Sequence, residues 1–242
     1  MLASLIFSAV LAAVVEAVPA APAGDDAALA SRIESAWRTQ QRWEAVAKNG
    51  SFDYDFELKT WNGGNRLKEH LERSLRVVAR NGVTRTEVLS SRKDGRDDLA
   101  AAREEQAGRE KRRERTEGKE GKTKEFPSPF DPKYRGEYAF ASAPAGPGRT
   151  SISFRPRRRL EGAIAGTAEF DPEGRVRRVV FTLAHPPIFT RNLSFTISLD
   201  AEGNPLRADS SGEISLIVWK RRFESSVVVR NVVPRPPEKE IP

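Results

Sequence analysis

Four arginines in five residues, Arg155 and Arg157 to Arg159 around Pro156, are the densest cluster of chemistry-bearing side chains in the sequence. Guanidinium groups grip phosphates and carboxylates through paired hydrogen bonds. Arg157, Arg158 and Arg159 are therefore candidate contacts for a lipid head group or another anionic surface. A solvated basic loop accounts for the same residues, because no glycine cradle accompanies them. A second cluster, Asp53, Asp55 and Glu57, alternates with Phe52, Tyr54, Phe56 and Leu58. Alternate carboxylates are what the wet face of a half-exposed strand presents, and no histidine lies near them in sequence to tune them.

The sequence holds no cysteine and only two histidines, His70 and His185. Disulfides, thiolate metal sites, a cysteine nucleophile and a lipidated cysteine are thereby excluded, and a histidine-rich metal centre is not expected. No nucleophile elbow, phosphate loop or paired-acid motif appears. The expectation is a binding protein without cofactor or metal, not an enzyme. The formal charge of +7 is spread along the chain with acids mixed in, the signature of a basic soluble surface and not of a nucleic-acid site.

Binding then falls to apolar side chains, and these are carried by elements that the spacing defines. Leu29, Ile33, Ala36, Trp37, Trp43 and Ala47 gather on one face of a helix from Asp25 or Asp26 to about Lys48, ended by Asn49-Gly50. Ser51 to Trp61 alternates as a strand. Asn81-Gly82 predicts a hairpin between strands within 67–89, since this pair supplies the positive φ angles of a type I′ turn. Residues 91–125 are mostly Arg, Lys and Glu and read as a solvated helix fraying into a loop.

Phe126 to Pro132 reads as a proline-punctuated crossing whose phenylalanines plug a sheet edge or cavity mouth. Strands are then expected from Tyr134 onward: 134–141, 151–155, 164–170, 175–183, 192–199, 212–219 and 220–232. Asp171-Pro172-Glu173-Gly174 and Ser210-Ser211-Gly212 are placed among the turns. Ile214 to Trp219 and Val227 to Val229 are apolar on both faces, which predicts strands covered on two sides near the middle of the sheet. The class is α+β, mainly antiparallel β.

The leader, residues 1–23, carries an apolar run from Leu2 to Val15. That is the length of a signal peptide and short for a membrane span, so the domain is expected to be exported and soluble. A retained N-terminal anchor is the alternative. Residues 24–233 form the domain and 234–242 a charged, proline-rich disordered tail.

The stretch Gly166-Thr167-Ala168-Glu169-Phe170-Asp171-Pro172-Glu173-Gly174-Arg175-Val176-Arg177-Arg178-Val179, followed by Phe189 to Leu199 and Leu206 to Val232, resembles the periplasmic LolA/LolB-like group, outer-membrane lipoprotein-sorting proteins and their relatives. The resemblance implies a strongly curved, unclosed half-barrel sheet, with the N-terminal helix and the polar helical insert over its concave face. It also implies that this face holds a lipid or the acyl chains of a lipoprotein. Trp37, Phe56, Phe154, Phe170, Phe181, Phe195, Trp219 and Phe223 are the candidate lining. The alternative is a structural or regulatory periplasmic protein that binds another protein, for instance a membrane-associated one, and carries no lipid.

Overall fold

The computed structural model describes residues 26–116, 127–145, 148–216 and 219–235. Residues 1–25, 117–126, 146–147, 217–218 and 236–242 lie outside these, and with them the expected leader, Phe126 of the crossing and most of the expected tail. Helix α1 spans Asp26–Lys48, and its buried stripe is Ile33, Ala36, Trp43 and Val46. Strand β1, Gly50–Asn62, follows directly and buries Phe52, Tyr54 and Phe56 while turning Asp53, Asp55 and Glu57 outward. Next come β2 (Leu67–Arg80) and β3 (Val83–Lys93), and the turn between them is the predicted one, with Asn81 at φ 49° and Gly82 at φ 79°.

A short β4, Arg96–Asp97, leads into α2, Leu99–Thr116. This helix is less solvated than its composition suggests. Ala102 is fully buried and Leu99 packs on the same core, while Arg73 of β2 reaches up to Glu105 at 2.8 Å and to Ser91 at 3.2 Å. Two small apolar residues one turn apart are enough to dock a helix whose remaining face is charged.

A one-turn helix α3, Pro132–Arg135, is capped by Asp131 accepting from the Lys133 amide at 2.8 Å. It replaces the start of the strand expected from Tyr134, because proline at the first helical position favours a turn there. The remaining strands are β5 (Tyr138–Pro144), β6 (Thr150–Pro156), β7 (Ile164–Phe170), β8 (Val176–Leu183), β9 (Thr190–Leu199), β10 (Pro205–Leu216) and β11 (Trp219–Pro234).

The strands make one antiparallel eleven-stranded sheet ordered β4-β3-β2-β1-β11-β10-β9-β8-β7-β6-β5. The chain runs outward from β1 to one edge, crosses through α2 and α3 to the other edge, and returns inward until β11 zips onto β1 from Pro234 opposite Gly50 to Arg221 opposite Asn62. The edges β4 and β5 do not meet, so the half-barrel is unclosed, as expected.

Three details differ from the sequence reading. Ser210-Ser211-Gly212 is not a turn but the middle of β10, because a Cβ at Gly212 would collide with Leu193 of β9 and crowd Phe223 of β11. Glycine here admits two large neighbours rather than bending the chain. β11 is central, yet Val228 is 37% exposed, so the strand is covered on one face only. Pro234 and Arg235 belong to the fold: Pro234 ends β11, and the Arg235 amide donates to the Asn49 carbonyl at 3.0 Å.

Side chains on the helix-covered face form three cores. Trp43, Val46, Phe52, Tyr54, Phe56, Val77 and Val227 fill the first, beneath α2 and the end of α1. Ile33, Ala36, Phe130, Ile152, Phe154, Ile164 and Phe170 fill the second, beneath the start of α1. Leu193 and Phe195 make a small third core, with Phe181, Leu183 and Phe223 half-buried around it.

The β7–β8 turn is held by Asp171, a buried carboxylate. It accepts from the Arg175 amide at 2.9 Å and from the Arg175 and Arg177 guanidinium groups at 3.0 and 2.9 Å. Burial pushes its pKa up, but these donors outweigh burial and hold the carboxyl below its ordinary 3.8. A lowered carboxyl stabilises the fold fully above the ordinary value, and that contribution is lost as pH falls through the folded one. Asp171→Asn is expected to cost about 2 kcal/mol at neutral pH. In urea titrations the gap between wild type and variant should close as the pH drops below 3.8.

Candidate ligand cleft

Helix α1 lies like a belt across the turns at one end of the sheet. Ser35 Oγ donates to the Gly174 carbonyl at 2.8 Å, Arg42 donates to the Glu202 carbonyl, and the Gly82 amide donates to the Lys48 carbonyl at 3.0 Å. Each contact joins α1 to a different hairpin turn. Between these fixed points the middle of the helix stands off the sheet and leaves a cleft of about 120 Å³.

Ala36 and Trp43 of α1 form the roof of the cleft. Ile164 of β7, Val176, Val179 and Phe181 of β8, Ile197 and Leu199 of β9, and Pro205 of β10 form its floor. The two-residue period brings Val179 with Phe181, and Ile197 with Leu199, to one side, and the register shift opposite Glu169 and Phe170 lets Val176 join them. Pro129 and Phe130 close one end, with Phe130 edge-on to Phe154 at 5.3 Å between ring centroids. That plug is pinned by Tyr138, whose hydroxyl donates to the Pro127 carbonyl at 2.6 Å. Burial pushes the Tyr138 phenol up to about 12, so it remains a donor across the physiological range.

The polar rim is Thr39, Gln40, Ser128 and Gly203, with Ser128 Oγ donating to Gln40 Oε1 at 2.6 Å. Among the described residues that line the cleft none is titratable, so what they offer is mainly apolar contact.

The opposite, open face of the sheet carries a second depression of about 350 Å³. Ser194, Thr196, Ser211 and Ser226 make its floor, and Glu57, Lys59, Arg207, Asp209 and Glu224 surround it. Its charges are paired: Lys59 with Glu57 at 2.6 Å and Arg207 with Asp209 at 2.8 Å. The Lys59 ammonium, and after it the His70 ring at 2.8 Å, holds the Glu57 carboxyl below its ordinary range. The meeting of Glu57 with His70 depends on the register of β1 against β2 and so is not legible in local spacing.

Among the aromatic residues selected from the sequence, only Phe181 lines the cleft. Phe154 and Phe170 lie deep in the second core, with Trp37 packed against it. Phe56 belongs to the first core, while Phe195 and Phe223 join Phe181 in the third. The Trp219 backbone pairs with Leu216; its side chain lies outside the described atoms.

The arginine loop stands beside the plug. Arg157 Nε donates to the Tyr138 carbonyl at 2.9 Å, and Arg158 makes a paired contact with Glu137 at 2.5 and 2.8 Å. Arg159 is exposed. A head group at this loop would compete with Glu137 for Arg158. The apolar roof and floor residues not singled out as a lining from sequence are Ala36, Trp43, Ile164, Val176, Val179, Ile197, Leu199 and Pro205. Helical and strand periodicity marked most of them as buried, but not as neighbours.

No protein-family model and no curated protein matches the chain. Solved structures give distant likenesses. One is a LolA superfamily protein, NE2245 from Nitrosomonas europaea, at 9% identity and a TM-score of 0.30, covering 84% of this chain and 96% of that one. Another is MucB in complex with the periplasmic part of MucA, at 10% identity and a TM-score of 0.21, covering 80% and 93%. The MucA/MucB complex of Pseudomonas aeruginosa gives 10% identity and the same TM-score, covering 86% and 99%. With overlaps this low, the fold rests on the chain's own strand order. Among the described residues no helix is long and apolar enough to cross a membrane.

Proposed function

We propose that this chain is an exported binding protein of the cell envelope that takes the end of an acyl chain into the cleft between α1 and β7–β10. The observation that supports this reading is a cleft with an apolar floor, an uncharged lining and a polar rim on one side. Its volume of about 120 Å³ is close to the roughly 150 Å³ of a dry cavity that holds one benzene. It is also below the roughly 300–1,000 Å³ of ordinary ligand pockets. The resting cleft therefore admits a chain terminus, and a longer segment requires α1 to lift.

Energetics allow that movement. Burying ten methylenes gains about 8 kcal/mol. Three hydrogen bonds along the helix are worth about 1 kcal/mol each. Apolar gain exceeds the loss of these three bonds where the acyl chain re-covers Ala36 and Trp43, the residues of α1 that roof the cleft.

Ile197→Trp places an indole into the floor of the cleft from a half-buried position. Binding of dodecanoate, whose methyl end is free, followed by isothermal titration, is expected to weaken at least about tenfold, equivalent to about 1.4 kcal/mol. Circular dichroism checks that the variant remains folded. An unchanged affinity would place the acyl site elsewhere.

A protein ligand is the second reading, favoured by the apolar residues outside the cleft. Ile188 is 99% and Phe189 48% exposed in the β8–β9 connection, beside the half-buried third core. Retained partner binding by Ile197→Trp would identify that surface as the functional one.

A further inference from the structure

The open face carries an arrangement independent of the cleft. Glu57 of β1 and Glu72 of β2 stand directly opposite one another in the ladder, and His70 stands opposite Lys59 one step along the same face. Like charges at directly opposed positions destabilise a sheet unless something positive lies between them. The His70 Nε2 atom is 2.8 Å from Glu57 Oε1, and one ligand atom from each of Glu57, His70 and Glu72 lies within 4.8 Å of the other two.

The three are carried by strands that pair along their whole lengths, so their spacing is set by the ladder and not by loops. His70 is held further. Its amide donates to Asp94 Oδ1 at 2.8 Å, and its carbonyl accepts from the Asp94 amide at 2.7 Å.

We propose that Glu57, His70 and Glu72 form a binding site for Zn²⁺. One imidazole nitrogen and two carboxylates make a mixed donor set that suits zinc, whereas calcium and magnesium favour oxygen alone. His70 and Glu57 are 26% and 40% exposed and Glu72 is exposed, which leaves a coordination position open to solvent and to the adjoining serine-lined depression. The present occupant of the shared oxygen is the Lys59 ammonium, 2.6 Å from Glu57 Oε1. A zinc ion must displace it. Lys59 is thus a built-in competitor, and its long flexible stem lets it swing away.

The site is tested by isothermal titration of ZnCl₂ into the untagged chain. The expected result is one ion bound per chain. His70→Ala and Glu72→Gln should each weaken binding by at least the roughly tenfold that loss of even an outer partner costs a metal site. Lys59→Met should tighten binding, a result that damage to the fold would not produce. His185→Ala, which removes the other imidazole from an exposed loop, should leave binding unchanged. The proposal is overturned if wild type takes up no zinc at millimolar concentration, if His70→Ala binds as wild type does, or if Lys59→Met weakens binding.

Discussion

Phe170→Ala is expected to destabilise the protein by about 3–5 kcal/mol, which shifts the urea midpoint sharply at an unchanged slope. Phe170 has no exposed surface and ends β7, where it pairs with Thr150 on one side and Val176 on the other. Its ring lies in the core that also holds Ile33 and Ala36 of α1, Phe130 of the plug and Ile152 and Phe154 of β6. Removing it opens a void that these elements cannot fill, since each is fixed by its own hydrogen bonds. For a domain of marginal stability this is a large fraction of the total, and the melting temperature should fall by about 10 °C. A loss below about 1 kcal/mol would mean that α1 and the plug do not pack on β5–β8 as a single core.

The parts of the fold legible in the sequence are those set by local physics. Phe52, Tyr54 and Phe56 alternate with Asp53, Asp55 and Glu57, and β1 follows that period residue for residue. Asn81-Gly82 requires positive φ at both residues, and both adopt it. Ala36, Trp43 and Phe130 were recognisable as apolar positions on a helix and in a crossing loop. What stayed hidden depends on partners far away in sequence. Ser210-Ser211-Gly212 carries turn residues, and only Leu193 and Phe223 across the ladder explain why a strand needs glycine there. Leu99 to Ala102 is one short apolar stretch ahead of a charged run, too brief to signal docking without the core beneath it. The same holds for His70, whose distance from Glu57 is a product of register. Aromatic size pointed to the cores in general, whereas the cleft is floored mainly by aliphatic residues and lies where α1 stands away from the sheet.

Entry of an acyl chain by the lifting of α1, as proposed, opens the cleft at the rim where Thr39 of α1 meets Gly203 of the β9–β10 turn. A Cβ on Gly203 would lie 3.9 Å from Thr39 Cβ, close to the separation of about 3.8 Å that a disulfide spans. The chain has no cysteine of its own, so Thr39→Cys with Gly203→Cys gives one defined crosslink across the rim. Gly203 has φ 85°, and a side chain there costs about 1–2 kcal/mol in both the oxidised and the reduced form, so the two remain comparable. The decisive measurement is the affinity of this double variant for dodecanoate before and after reduction. The oxidised protein is expected to bind at least about a hundredfold more weakly, near 2.7 kcal/mol, with dithiothreitol restoring binding. Equal affinity in the two forms would contradict it, because an acyl chain would then be reaching its site without parting α1 from the sheet.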